Sequence, residues 1–125
     1  MQLLLDTHAL IWWLSNDSTL SVKAKEEIAD PDNIVFISAA SAWEIAIKKS
    51  LGKLQAPDDL TVQIKEKRFR PLAISINHAL AIEKLPLHHQ DPFDRILIAQ
   101  AMYENSIIVT RDRKFQLYEV RTIKC

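Results

Sequence analysis

The sequence predicts an α/β domain with a central, mainly parallel sheet flanked by helices. Three observations predict it. Short apolar runs with strand character alternate with helical patterns. Those strand runs are apolar on both faces, as strands buried between two helical layers are. The chain has 125 residues, 48% of them hydrophobic and 26% charged, which fits one domain over residues 1–125.

The elements follow in order along the chain. "QLLL" (2–5) is a short buried strand, and "HALIWWLS" (8–15), apolar all round, is a helix. "SVKAKEEIAD" (21–30) is an amphipathic helix stopped by Pro31. "NIVFIS" (33–38), β-branched and aromatic, is the second strand. "SAASAWEIAIKKSLGKL" (38–54) is a helix with Gly52 near its C-terminal end. "PDDLTVQIKEKRF" (57–69) is another amphipathic helix, "RPLAIS" (70–75) a third strand, and "NHALAIEKL" (77–85) a short helix closed by Pro86. "DPFDRILIAQAM" (91–102) opens the next helix with an N-cap acid and a proline at its first position. "SIIVT" (106–110) is a strand, "RDRKFQLY" (111–118) a loop with a helical turn, and "VRTIK" (120–124) the last strand. In sheets of this kind, sites form just beyond the carboxyl ends of the strands.

Composition removes several chemistries. A single glycine cannot build a P-loop or a dinucleotide-binding loop. The single cysteine, Cys125, permits neither an internal disulfide nor a cysteine zinc site, which suits a reducing cytosol. Sixteen basic residues balance sixteen acidic ones, so net charge does not decide for or against nucleic acid. The apolar N-terminus lacks a basic leader and is interrupted by Asp6 and His8, and no run is long enough to span a membrane. The expected location is the cytoplasm.

Four acids fall at one edge of the expected sheet. Asp6 follows the first strand, Glu44 lies one turn into the helix after the second, Asp94 sits in the first turn of the 91–102 helix, and Asp112 follows the "SIIVT" strand. Each has a local explanation. Asp6 can cap the first helix, Glu44 can complete a capping box with Ser41 or pair with Lys48, Asp94 suits the positive end of a helix dipole, and Asp112 suits a turn. Glu44 also sits among Trp43, Ile45 and Ile47, which marks it as a partly buried acid. Four ionised carboxylates converging on one edge repel one another, and a divalent cation relieves that repulsion. Oxygen ligands without cysteine point to Mg²⁺ or Mn²⁺ rather than zinc. Such a site suits hydrolysis of a phosphodiester, with water as nucleophile and 5′-phosphate and 3′-hydroxyl products.

With these acids placed, the chain resembles the PIN-domain family and, within it, the VapC-type ribonuclease toxins of toxin–antitoxin pairs. The matching segments are "LLLDTHALIW", "SAWEIAIK", "DPFDRILIAQA" and "IIVTRD", in the family's order and at its spacing. The resemblance covers essentially the whole chain. It implies a PIN-like three-layer sandwich, dependence on Mg²⁺ or Mn²⁺, cleavage of structured RNA, a homodimer, and a small antitoxin whose tail blocks the acidic pocket. It assigns the catalytic and metal-binding roles to Asp6, Glu44, Asp94 and Asp112. Thr110 matches a supporting hydroxyl. In "DPFD", Asp94 is the better match and Asp91 keeps the role of cap, with a supporting role at the metal left open.

Other residues carry weaker signals. Arg95, Arg111, Arg113 and Lys114 flank the acids and are candidate RNA phosphate contacts. "KEKRFR" (65–70) could follow an RNA backbone or form a solvated helix face. Adjacent His88 and His89 cannot easily serve one metal and read as a loop before a helix, with one of them open to touching RNA. His8 could line the pocket rim but reads better as a surface or core histidine. Of Trp12 and Trp13, one belongs to the core and the other to a dimer or antitoxin surface.

The competing reading is a catalytically silent PIN-like module that holds a partner protein. A haloacid-dehalogenase-like phosphatase ranks last, because "DTH" lacks the second aspartate such enzymes need. A DNA nuclease with a related acidic site stays open at this point, since the metal chemistry does not read the sugar.

Overall fold

The first strand, β1 (Gln2–Leu5), lies at the centre of a five-stranded sheet of order β3-β2-β1-β4-β5, with every neighbouring pair parallel. The others are β2 (Ile34–Ser38), β3 (Arg70–Leu72), β4 (Ile107–Thr110) and β5 (Thr122–Lys124). The computed structural model describes residues 1–125. Six α-helices join the strands: α1 (Thr7–Leu14), α2 (Val22–Ala29), α3 (Ala39–Ser50), α4 (Leu60–Glu66), α5 (Ile76–Ala81) and α6 (Pro92–Glu104). Two 3₁₀ turns complete the set, Ile82–Lys84 and Arg113–Leu117.

The alternation of side chains along β1 explains the layers. Leu3 and Leu5 face one side, with Ala9, Leu10, Ala24 and Ile28 from α1 and α2. Leu4 faces the other, with Ile96, Leu97 and Ala101 from α6. All three leucines are fully buried, and each contributes roughly 1.5–3 kcal/mol by leaving water. Helix α3 serves both layers, Ala40 on the α6 side and Ile45 on the α1 side. The predicted α/β class and helix-flanked parallel sheet are therefore present. The third strand is shorter than its apolar stretch suggested, and α4 is shorter than the 57–69 pattern.

The chain winds outward from β1 to β2 and β3, then returns through α5 and α6 to β4 on the other side of β1. That reversal makes a crevice between the carboxyl ends of β1 and β4. Caps fix what enters it. The Ser38 hydroxyl accepts from Ala40 N–H to start α3. Asp91, followed by Pro92, accepts from Phe93 N–H to start α6. α6 ends at Asn105, whose left-handed backbone (φ 53°) is the conformation asparagine tolerates at a helix stop. Within α6, the fully buried Gln100 meets Ser38 Oγ over 2.5 Å and donates to the Ala73 carbonyl at 3.3 Å. It pins α6 to the ends of β2 and β3, one face of the crevice.

Candidate active site

Asp6 leaves β1 at the crevice and caps α1, its Oδ1 accepting from Ala9 N–H at 2.7 Å. The local explanation for this acid is thus realised. It does not exhaust the residue, because Asp6 is buried. Burial pushes its carboxyl above the ordinary aspartate range, and the Glu44 charge adds to this, while the Thr110 hydroxyl and Ala9 N–H pull the other way.

Glu44 comes from α3 and is also buried. Its Oε1 accepts from the Thr7 hydroxyl at 2.6 Å, and its Oε2 from Lys48 Nζ at 2.6 Å. The pairing with Lys48 was one local expectation. The other, a capping box with Ser41, is replaced: Ser38 caps α3, and Ser41 is buried against the Thr7 hydroxyl at 3.2 Å. Trp43 and Ile47 do not crowd Glu44 as their sequence proximity suggested; both are exposed, and Trp43 sets its ring against Phe93 edge-on at 5.0 Å. The Glu44 hydrogen bond holds the Lys48 ammonium above its ordinary pKa.

Asp94 stands in the first turn of α6 and Asp112 just beyond β4. Burial raises the Asp94 carboxyl to about 6; the charges of Asp91, Glu44 and Asp112 add to this, and His89 opposes it. Asp94 thus feels the charges of Glu44 and Asp112, and Asp6 that of Glu44; of the four acids, Asp94 and Asp112 bring ligand atoms within 4.8 Å of each other. Asp112 behaves differently. Burial pushes it up, but hydrogen bonds from His89 and from Lys114 N–H outweigh that and leave it below the ordinary range.

His89, which the sequence reading set aside as a loop residue, belongs to this cluster. It is buried, and its Nε2 lies 2.8 Å from Asp112 Oδ2. Ligand atoms of His89, Asp94 and Asp112 all lie within 4.8 Å of one another, close enough to surround one cation. They share a cleft of about 520 Å³ with His88, Asp91 and Lys114. His88, also at this cleft, sets its ring edge-on to Tyr118 at 4.9 Å. The hint in the sequence was only the position of "HH" ahead of "DPFD". Nothing local could show that residue 89 reaches Asp112, 23 positions on.

The basic residues divide in two. Arg95 was expected at RNA phosphate, yet its guanidinium donates to the carbonyls of Ile82, Leu85, Pro86 and His89, holding the loop before α6. Arg111, with the same expectation, donates to the Thr19 and Cys125 carbonyls and lies over the Trp12 ring at 4.5 Å. Both therefore serve the fold. Arg113 and Lys114 are exposed beside Asp112. Arg113 lines a small polar cleft of about 120 Å³ with Thr110, Gln116 and Lys124. In "KEKRFR", Phe69 is buried against Trp13, so the aromatic of that run belongs to the core. His8 is exposed and rests against Trp12. Trp12 and Trp13 are both half-buried.

The sequence profile of the PIN domain matches residues 3–120. The chain belongs to the PIN-domain family. This PIN domain is 27% identical over 116 residues to Ribonuclease VapC22 of Mycobacterium tuberculosis, covering 90% of this chain and 88% of that protein. It is 39% identical over 54 residues to Ribonuclease VapC16 of the same organism, covering 42% and 38%. In three dimensions it is similar to VapBC2 from Rickettsia felis, solved bound to a DNA fragment from its promoter. That match has a TM-score of 0.75 and 17% identity, over 100% of this chain and 99% of the other. VapBC-1 from nontypeable Haemophilus influenzae is similar at TM-score 0.70 and 18% identity, over 99% and 98%. At such identities the structural likeness establishes the PIN fold. No helix of this PIN domain is long and apolar enough to cross a membrane.

Proposed function

We propose that this PIN domain is a metal-dependent endoribonuclease, the toxin of a toxin–antitoxin pair of the VapC type. The observation that carries the reading is the acidic cleft where Asp94 and Asp112 stand beside His89, with the buried acids Asp6 and Glu44 in the segments that follow the adjacent strands β1 and β2. The donor set fits a hard divalent cation, Mg²⁺ or Mn²⁺. It offers carboxylate oxygens without a thiolate, and two of the acids are held protonation-prone by burial and mutual repulsion that a cation would relieve. Bound there, the cation would activate a water and neutralise charge on the phosphate.

The chain's own residues do the rest. The four carboxylates would hold the cation, with Thr110 supporting Asp6. Asp91 starts α6, whose N-terminal N–H groups and dipole favour an anion such as an RNA phosphate. Lys114 and Arg113 meet the backbone of the RNA beside Asp112. Lys48 neutralises Glu44 until the cation is present. Water as nucleophile leaves 5′-phosphate and 3′-hydroxyl ends. The VapBC complexes and the VapC ribonucleases similar to this chain support an antitoxin partner and an RNA substrate; action as a homodimer in the cytoplasm is part of the same reading.

A second reading, a catalytically silent module that holds a partner protein, draws on one observation: both oxygens of Glu44 already have donors. The deciding experiment is cleavage of labelled structured RNAs by the purified chain with Mg²⁺, Mn²⁺ or EDTA, beside Asp6→Asn and Asp94→Asn. Cutting that needs metal and is lost in both variants supports the nuclease. A folded, metal-binding chain that cuts no RNA, total cellular RNA included, supports the silent module.

A further inference from the structure

His89 is held from every side. Its ring stacks on Tyr118 (centroids 5.6 Å apart, 17° between planes) and meets Phe115 edge-on at 4.9 Å. Its backbone N–H donates to the Tyr118 phenol oxygen at 3.0 Å, and its Nδ1 lies 3.1 Å from the same oxygen. Its Nε2 lies 2.8 Å from Asp112 Oδ2.

These distances favour one placement of the protons. The phenol of buried Tyr118 has one hydrogen, and Nδ1 of His89 is the acceptor within reach of it. If Nδ1 carried the proton instead, the phenol hydrogen would be buried without a partner, an arrangement that folded proteins avoid. A neutral ring of that tautomer would also turn the Nε2 lone pair toward the Asp112 carboxylate. The arrangement that satisfies every atom runs Tyr118 O–H to Nδ1, then Nε2–H to Asp112 Oδ2. Asp112 Oδ1 accepts in turn from Lys114 N–H at 2.9 Å. Both oxygens are thereby oriented, while each keeps a further lone pair for the cleft.

We propose that His89 is not a metal ligand but the positioning residue of Asp112, the middle member of a chain Tyr118–His89–Asp112 that fixes how this carboxylate faces the cation. The inference rests on the carboxylate reading above. Its Nε2 carries a proton and has no lone pair to offer a metal, although it stands within ligand distance of Asp94 and Asp112. Donors behind a ligating group typically change metal affinity 10–100-fold when removed.

The test uses the whole chain and Mn²⁺ as the probe. Nitrogen NMR of the metal-free protein should show the His89 ring with its proton on Nε2 and with Nδ1 as acceptor, and Tyr118→Phe should perturb the Nδ1 signal most. Mn²⁺ affinity, read by electron paramagnetic resonance, should fall about tenfold or more in His89→Phe. His89→Gln, whose amide N–H can still reach Asp112, should recover most of it. Electron spin echo spectra should show no imidazole nitrogen bonded to the Mn²⁺. Directly bonded imidazole, a proton on Nδ1 alone, or equal loss in the Gln and Phe variants would overturn the proposal. So would unchanged affinity in a folded His89→Phe protein. A wild-type chain that binds no Mn²⁺, or binds it equally well as Asp94→Asn, would overturn the carboxylate reading instead, and the tautomer in the metal-free chain still decides the hydrogen-bond chain.

Discussion

The Thr7 hydroxyl donates to Glu44 Oε1 over 2.6 Å, joining the first turn of α1 to α3. Thr7 follows Asp6 directly, so the same short segment supplies one acid and steadies another. Thr7→Val keeps the shape and removes the donor from a buried carboxylate. The expected loss of stability is about 1–3 kcal/mol, read from urea unfolding. Thr7→Ser, which keeps a hydroxyl, should lose clearly less.

Asp94 gives the metal-free protein a definite pH dependence. An aspartate in an unfolded chain titrates near about 4, whereas Asp94 in the folded chain titrates at about 6. Between these values the folded state holds a proton that the unfolded state has released. The contribution is present below the unfolded value and is lost as pH rises through the folded one. Asp94→Asn removes this slope. Thermal melts in EDTA should show the variant gaining on the wild type as pH rises through about 6, and no relative gain would contradict the assignment.

Cation binding runs against the same proton. Mn²⁺ must displace it, so affinity should weaken as pH falls below about 6. Calorimetry in two buffers of different ionisation enthalpy should detect proton release near that pH. Release that is unchanged in Asp94→Asn would place the proton elsewhere.

The arginines should separate by phenotype. Arg111→Ala removes donors to two carbonyls and the cover on Trp12. Stability should fall by about 2 kcal/mol or more, because hydrogen bonds from a charged donor contribute roughly 1.5–3 kcal/mol each. Arg113→Ala and Lys114→Ala should leave the melting temperature nearly unchanged. They should instead weaken RNA binding and flatten its dependence on salt. Filter binding to an uncleaved RNA in EDTA, across a salt series, distinguishes the two groups.

Most of the fold was legible, because its signals are local. "QLLL", "NIVFIS" and "SIIVT" became β1, β2 and β4, since apolar runs of that length bury on both faces. Asp91 and Pro92 opened α6 as their chemistry dictates. Asp6 and Asp112 were placed by strand ends, Glu44 by its position one turn into α3 and Asp94 by the first turn of α6. What stayed hidden depends on partners distant in the chain. Arg95 and Arg111 read as free cations because the carbonyls they bind have no side-chain signature. His89 read as a loop residue because its partners, Asp112 and Tyr118, lie 23 and 29 positions away. The run around Phe69 read as an RNA-following stretch or a solvated helix face because its basic residues masked an inward-facing aromatic.

The strand order has a consequence for the order in which the protein is made. β1 leaves the ribosome before its partner β4, which comes roughly a hundred residues later; Asp6 N–H closes on the Val109 carbonyl only then, at 3.1 Å. Ser21 likewise waits for the carbonyl of Lys124. Pairings so remote in sequence form late, and domains fold as units once their parts have emerged. The segments that carry Asp6 and Asp112 are therefore brought to one sheet edge only after β4 has emerged, and a nascent chain that stops short of β4 is without its acidic crevice.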